Sequence, residues 1–353
     1  MRIVLTGGGT GGHIFPNIAI FEEASKSERN LDFFYIGEKN GIEQEIIQKQ
    51  KIPFFGIYCG KLRRYFSVKN LLDLFKLPIG ILQSLYYLKK ISPNIIFSKG
   101  GYVSVPVIIA GKILHIKIII HDSDSIPGLT TKICAKYADT ICLAYEEAKK
   151  HLSKNRRIVR TGIPLKKDNI DGESVKAYEI TKFNKKTPVL LILGGSLGAK
   201  AINDVVYSSL PELVKHFQII HLTGSGKNEE INLSSDLKKR YFTLEFTNQI
   251  ADFYQITNFA ISRAGANTIA ELQTFGIPFL LIPLPKQASH GDQLENAKIL
   301  EKEKKCLVLA QETLNPQTLQ KKLDELVKNK QQFQYKEKIH INAAKTILDL
   351  ITN

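Results

Sequence analysis

The chain has no tryptophan, one methionine and only four cysteines, Cys59, Cys134, Cys142 and Cys306, among 353 residues. The cysteines lie far apart and form no C-x-x-C pair, so zinc and redox chemistry have no motif; reduced, mostly buried thiols are expected. No apolar run approaches the ~18 residues needed to span a bilayer. Met1 and Arg2 lead straight into a strand-like stretch where a secretory signal would stand, so a cytoplasmic chain is expected. Acidic residues are also few, 34 against 49 basic ones, giving a formal net charge of +15. That excess favours a polyanionic neighbour, either nucleic acid or an anionic membrane surface. The length suggests two domains at one per ~150 residues, and 43% hydrophobic content is enough for two real cores.

Glycine is concentrated rather than scarce. In "IVLTGGGTGGHIFPNIAIFEEA" five of the six residues from Gly7 to Gly12 are glycine, and His13 follows at once. Ile3 to Leu5 reads as a buried strand, and Ile14, Ile18 and Phe21 repeat at helical spacing, so the glycines form a strand-to-helix turn. Gly7, Gly9 and Gly12 fit G-x-G-x-x-G, which brings backbone amides close to a phosphate or sugar at a helix start; a tight turn that merely packs on the sheet fits the same pattern. Strands are predicted at "LDFFYIG", "NIIFSKGG", "IKIIIHD" and "TICLAY", separated by helical spacing, as a parallel sheet requires.

Near residue 187 the alternation restarts. Val189 to Leu193 is an apolar strand, Gly194, Gly195 and Gly198 follow, and Ile202, Val205 and Val206 mark a helix. Further strands are predicted at "FQIIHLTG", "YFTLEFT", "FAISRAG", "PFLLIPLP" and "CLVLA". The polar stretch after Gly162 marks the boundary, with the hinge near Gly162 to Lys167. The expected domains are 1–162 and 163–339, with a last helix, about 340–353, returning to the first. Ligands of such sheets bind beyond the carboxyl ends of the strands, so the two domains are expected to enclose a cleft.

Between Lys61 and Lys90 basic residues (Lys61, Arg63, Arg64, Lys69, Lys76, Lys89, Lys90) mix with Leu71, Leu72, Leu74, Phe75, Leu77, Ile79 and Leu82. Such a mixture suits a monolayer interface, where apolar side chains enter and lysines meet anionic headgroups. It equally suits an amphipathic helix that covers a sheet with solvated lysines.

"TGGGTGGHIFP", "SKGGYVSVP", "HDSDSIPGLTTK", "LGGSLGA" and "SRAGANTIAEL" with its following "GIP" occur in one order along the chain, and "GDQLENA" comes last. Together they resemble the MurG family of peptidoglycan glycosyltransferases over essentially the full length. The resemblance implies an α/β GT-B fold, two Rossmann-like domains with parallel sheets facing a cleft. It implies an inverting transfer of N-acetylglucosamine (GlcNAc) from UDP-GlcNAc to the C4 hydroxyl of N-acetylmuramic acid (MurNAc) in lipid I, undecaprenyl-pyrophosphoryl-MurNAc-pentapeptide, giving lipid II. The implied location is peripheral, on the cytoplasmic face of the cell membrane. An anionic membrane surface is then the polyanionic neighbour, nucleic acid is not, and cell-wall synthesis proteins are possible partners.

That reaction passes through an oxocarbenium-like state while charge grows on a departing diphosphate. It needs a base for the attacking hydroxyl and a cradle for the leaving group. With no metal motif and no cofactor implied, helix amides are expected to do the work of a cation. By resemblance, Gly195 and Ser196 meet the UDP diphosphate, with Asn203 further along that helix. Lys166 stands where the family has arginine; it keeps the charge without the bidentate fork. Glu271 matches the acid that accepts both ribose hydroxyls. Ala266, Asn267 and Thr268 line the same site, Thr247 corresponds to the backbone that reads uracil, and Gln293 approaches the sugar hydroxyls. Asp292 stands where relatives have histidine or glutamine. Thr10, Gly11 and Gly12 face the transferred sugar and the acceptor, and Gly100, Gly101, Tyr102 and Ser104 form a further loop on the acceptor side. His13 is the candidate base, and Asp124, where relatives have asparagine, is the rival base or a sugar contact.

Three other readings compete with it: a dinucleotide-dependent oxidoreductase, a nucleic-acid binder, and another GT-B enzyme, either a transferase acting on diacylglycerol or a UDP-GlcNAc epimerase. The first expects one cofactor fingerprint closed by a ribose-binding acid, whereas here a second glycine loop appears. The second rests on charge alone, without a recognised motif.

Overall fold

The computed structural model describes the chain except residues 61–67, 154, 196–197, 229–233, 287–290 and 335–337, and gives the backbone alone for 68–75. Two compact units emerge, Met1–Lys166 with Ile339–Asn353, and Lys167–Lys338.

The first unit runs β1 (Arg2–Thr6), α1 (Gly11–Ser25), β2 (Asp32–Glu38), α2 (Ile42–Lys49), β3 (Phe54–Ile57), α3 (Val68–Ile91), β4 (Ile95–Ser98), α4 (Ser104–Ile113), β5 (Lys117–Asp122), α5 (Leu129–Cys134), β6 (Thr140–Leu143) and β7 (Arg157–Arg160). Its seven described strands are all parallel, in the order β3-β2-β1-β4-β5-β6-β7. β1 pairs with β4 from Ile3↔Ile95 to Thr6↔Ser98. Because side chains alternate along a strand, Ile3 and Leu5 join one core with Ile14 and Ile18 of α1, and Val4 joins another with Leu88 and Ile108. Each such residue fully removed from water contributes about 1.5–3 kcal/mol.

The second unit runs α6 (Ser174–Thr181), β8 (Val189–Leu193), α7 (Lys200–His216), β9 (Gln218–Leu222), α8 (Ser235–Lys238), β10 (Tyr241–Leu244), α9 (Ile250–Ile256), β11 (Phe259–Ser262), α10 (Ala266–Phe275), β12 (Phe279–Leu281), α11 (Asp292–Lys302), β13 (Leu307–Val308), α12 (Pro316–Lys328) and α13 (Lys330–Phe333). Its described strands form a parallel sheet ordered β10-β9-β8-β11-β12-β13. The last helix, α14 (Ile339–Thr352), belongs to the first unit, where Ile347, Leu348 and Ile351 share the core of Ile14 and Ile18.

The predicted strands all form, and two more, β3 and β7, flank the first sheet. Both lie at the edges of the sheet and are only partly buried. The units divide after Lys166 rather than Gly162, because Ile163 and Leu165 are buried and the Ile163 amide donates to Nδ1 of His340 on α14 at 3.0 Å. All four cysteines are free and buried. Among the described residues no helix is long and apolar enough to cross a membrane.

α3 carries apolar residues on two faces. Ser84, Leu88 and Ile91 are buried. Leu82 is 66% exposed, Tyr86 63% and Ile79 47%, with Lys76, Lys89 and Lys90 also exposed. The part of the basic and apolar stretch from Lys61 to Phe75 lies outside the described side chains.

In each sheet the strand order reverses once, between β1 and β4 and between β8 and β11. The crevice beyond the carboxyl ends at such a reversal is where open parallel sheets bind ligands. The segments leaving those four strands carry Gly7–Gly9, Gly100–Gly101, Gly194–Gly198 and Gly265.

Candidate active site

In the first unit the two glycine loops lie against each other. Gly101 has φ +83°, and a Cβ there would collide with the Gly8 carbonyl; Gly9 has φ +82°, and a Cβ there would sit 2.7 Å from the Tyr102 ring. The glycines thus let the loops after β1 and β4 close onto one another. Beneath them, the Tyr35 hydroxyl donates to Gly7 O at 2.6 Å, and the Asn17 amide donates to Thr6 O, His13 O and Tyr35 Oη at 3.1–3.2 Å. Thr10 and Gly12 remain exposed, while Gly11 is half-buried against Phe15.

The same support includes a carboxylate that sequence reasoning overlooked. Glu43 of α2 is 0% exposed; Oε1 accepts the Glu38 amide at 2.9 Å and Oε2 the Gly9 amide at 3.4 Å. It stands one helical turn before buried Ile47, a spacing that could have marked it as inward-facing. Tyr102 donates its hydroxyl to Glu38, and burial and that carboxylate raise its pKa. It therefore links loop to strand. Ser104, expected on the acceptor side, is fully buried and donates to Gly100 O at 2.8 Å; it caps the loop from within.

His13 opens α1 half-buried, its Nδ1 3.1 Å from Thr10 Oγ1. Gly101 makes room for its ring, since a Cβ there would lie 3.3 Å from Nδ1. Burial and then the positive charge of Lys99 push its pKa down to about 3. Lys99, 3% exposed at the end of β4, is a second residue the sequence reading passed over although it stands inside "SKGGYVSVP". Its own pKa is lowered by burial against the charges of Asp122 and Asp124. Burial raises the carboxyl of Asp122, opposed by hydrogen bonds from Thr131 and the Asp124 amide and by Lys99. Asp124, half-buried, turns the loop by donating its amide to Asp122 Oδ1 at 2.8 Å. Lys166, also in this unit, lies 3.9 Å from Glu22.

In the second unit Glu271 lies on α10 and is 8% exposed. Oε1 accepts from Asn169 Nδ2 at 2.6 Å and Oε2 from Tyr254 Oη at 2.8 Å. Burial raises its pKa against those two hydrogen bonds. Ala266, Asn267 and Thr268 form the half-buried first turn of the same helix. Thr247 is held in the loop after β10, its Oγ1 accepting the Gln249 amide at 2.9 Å. Gln293 is oriented by the Leu284 amide, which donates to its Oε1 at 3.1 Å. Gly195 has φ +79° and open space where a Cβ would stand. Ser196 lies outside the described residues.

Asn203 does not fit the ligand contact expected of it. It is 2% exposed, with Nδ2 donating to Thr223 O at 2.9 Å and Oδ1 accepting from His221 Nε2 at 3.1 Å. It braces the strand beneath the loop. That arrangement leaves His221 Nδ1 to accept from Tyr241 Oη at 2.9 Å, and burial lowers the His221 pKa to about 4.

A buried imidazole kept neutral makes stability depend on pH. The unfolded chain takes up a proton near pH 6.5 and the folded one only near 4, so stability is lost as pH falls below about 6.5. Between pH 7.5 and 5.0 this amounts to about 2 kcal/mol for His221 alone. Urea unfolding at the two pH values should give a larger acid loss for the native chain than for His221→Gln. Equal losses would show that His221 is not held neutral.

Two parallel α/β sheets, each with a glycine loop at its reversal point, are the GT-B arrangement of glycosyltransferases, and solved structures share it. Acinetobacter baumannii MurG aligns at a TM-score of 0.76 and 24% identity, covering 99% of each chain. The UDP-GlcNAc 2-epimerase from Methanocaldococcus jannaschii aligns at 0.65 and 13%, covering 100% of each, a likeness of fold alone. The models of the glycosyltransferase family 28 N-terminal and C-terminal domains match residues 3–143 and 189–351. The chain belongs to glycosyltransferase family 28. Among its curated relatives is UDP-N-acetylglucosamine--N-acetylmuramyl-(pentapeptide) pyrophosphoryl-undecaprenol N-acetylglucosamine transferase 2 of Bacillus cereus, 42% identical over 353 residues, 100% of this chain and 98% of the relative. The enzyme of that name, without the numeral, from Clostridium botulinum is 41% identical over 354 residues, 99% and 98%. The chain is a glycosyltransferase.

Proposed function

We infer that the chain transfers GlcNAc from UDP-GlcNAc to the C4 hydroxyl of MurNAc in lipid I, releasing UDP and lipid II with inversion at the anomeric carbon. The observation that carries this reading is end-to-end similarity at 42% to a relative named for that transfer. In the reaction the anomeric C–O bond to the diphosphate breaks, the bond to the acceptor oxygen forms, and UDP leaves with the electron pair. The hydroxyl proton passes to His13. An imidazole neutral at pH 7 has its lone pair available, and a weak base suffices because the hydroxyl becomes strongly acidic only as its oxygen bonds to carbon.

The donor is held by the second unit. Glu271 takes the ribose hydroxyls, the first turn of α10 and the Thr247 backbone take the nucleoside, and Gln293 takes the sugar. The glycine loop that leads into α7, with Gly195 and Ser196 of its motif, takes the diphosphate, and Lys166, the last residue of the first unit, supplies charge. On the first unit, Thr10, Gly12 and the paired glycine loops meet the acceptor, and Asp124 contacts sugar. No cofactor or metal ion enters this scheme. Incubation with UDP-GlcNAc labelled in the sugar and with lipid I should yield labelled lipid II; labelled ManNAc or a glycosylated diacylglycerol instead would overturn it.

The acceptor is anchored in lipid, and α3 supplies the surface to meet it. Ile79, Leu82 and Tyr86 lie three and four residues apart on the exposed face, with Lys76, Lys89 and Lys90 near them. Apolar side chains that enter the headgroup layer beside lysines give peripheral binding to anionic lipid. The double change Leu82→Glu with Tyr86→Glu should reduce co-sedimentation with phosphatidylglycerol vesicles by about tenfold or more. Turnover of a short-chain, water-soluble acceptor should be unchanged. Undiminished vesicle binding would remove α3 from the membrane face.

A further inference from the structure

Glu271 is held by two partners from different parts of the second unit. Tyr254, on α9, is 2% exposed, and its ring stacks near Phe275 with centroids 5.0 Å apart. Asn169 stands in the short 3-10 turn Lys167–Asn169 that opens the unit. That opening segment is fastened to α9: the Glu173 amide donates to Asp252 Oδ1 at 2.6 Å, and a Cβ on Gly172 would collide with the Ala251 backbone. The segment therefore has little freedom to withdraw Asn169 from Glu271.

A carboxylate has about four acceptor positions, two on each oxygen. Asn169 uses one on Oε1 and Tyr254 one on Oε2, at 2.6 and 2.8 Å. Among the described residues one position then remains on each oxygen. Two neighbouring acceptors are what a vicinal diol needs, one for each hydroxyl.

We propose that Asn169 and Tyr254 are positioning residues for the nucleotide ribose: with one hydrogen bond on each oxygen they lock the Glu271 carboxylate so that it receives the 2′ and 3′ hydroxyls together. This rests on the assignment of Glu271 to the ribose made above. Without either donor the carboxylate turns among rotamers, and both oxygens no longer wait in the geometry of the diol. Neither residue touches the reacting carbon, so the effect falls on binding, not on the chemical step.

The test compares UDP with 2′-deoxy-UDP and 3′-deoxy-UDP by titration calorimetry on the full chain. Tyr254→Phe, which keeps the ring and its packing, should raise the Kd for UDP by about 5- to 20-fold, and Asn169→Ala by about 3- to 10-fold. In both variants the preference for UDP over the deoxynucleotides should shrink at least threefold. The KM for UDP-GlcNAc should rise with kcat held within about twofold. Asn169→Asp, which sets a second carboxylate against Glu271, should bind UDP more weakly than Asn169→Ala. A purely structural pair would lower the melting temperature and leave the diol preference intact, and that result overturns the proposal. Glu271→Gln serves as the reference. If it loses the preference for UDP while the two variants keep it, the positioning role fails and the ribose assignment stands; if it keeps the preference, both fall.

Discussion

Glu271→Ala should weaken UDP-GlcNAc binding by about 1.5 to 3 kcal/mol, the usual cost of losing hydrogen bonds to a charged group. That is roughly 10- to 150-fold in Kd. The loss reaches beyond the ligand contact, because removing the carboxylate leaves Tyr254 Oη buried without its acceptor and frees Asn169. Some fall in stability should therefore accompany the loss of affinity. The two are separated by measuring Kd at saturating folding conditions and the urea midpoint without nucleotide. Binding within twofold of the native value would contradict the assignment of Glu271 to the ribose.

His13→Ala should lower kcat by about 10²- to 10⁴-fold, the range typical of a positioned general base. UDP-GlcNAc affinity should hardly change, since the residue lies in the first unit's glycine turn and the nucleotide is assigned to the second unit. The pH profile adds an independent check. With the His13 pKa down at about 3, the unprotonated form is complete well above pH 4, so kcat should stay flat for this group between pH 6 and 8. An acid limb at 6.5 that disappears in His13→Ala would mean that burial and Lys99 do not hold the imidazole neutral during turnover. If affinity collapses while turnover at saturation holds, His13 is a ligand contact and the proton goes elsewhere. Asp124→Asn then becomes the decisive variant, for it removes the rival base while retaining a side chain of the same shape.

Much of the fold is legible because parallel sheets are buried on both faces. "VLLIL" and "RIVLT" become β8 and β1 with their apolar runs intact, and the glycines follow each strand end where the chain turns into a helix. β7, "RIVR", is a short edge strand that needs no such run, whereas β3 lies in the apolar stretch "IPFFGIY" and was legible by the same rule. Site residues named from motifs fare unevenly for a similar reason. A motif records which residues cluster but not which of them point inward, so Ser104 and Asn203 turn out to support their loops from within. Conversely, Glu43, Asn169 and Tyr254 carry no motif signal of their own, and Asn169 lies 102 positions from its partner Glu271; Lys99 stands inside a motif that does not mark it as buried. Only the spacing of Glu43 with Ile47 betrayed burial in advance. The α3 helix illustrates the limit of periodicity, since its inward and outward faces are both apolar in part and only exposure separates them.

A crystal structure with UDP-GlcNAc bound is the most direct measurement. The ribose hydroxyls are expected within about 2.5–2.7 Å of the two Glu271 oxygens, the charge-assisted range, with the diphosphate at the glycine loop before α7. Uridine seated instead against the glycine turn between β1 and α1, with Glu271 still occupied only by Asn169 and Tyr254, would contradict the division of labour between the two units.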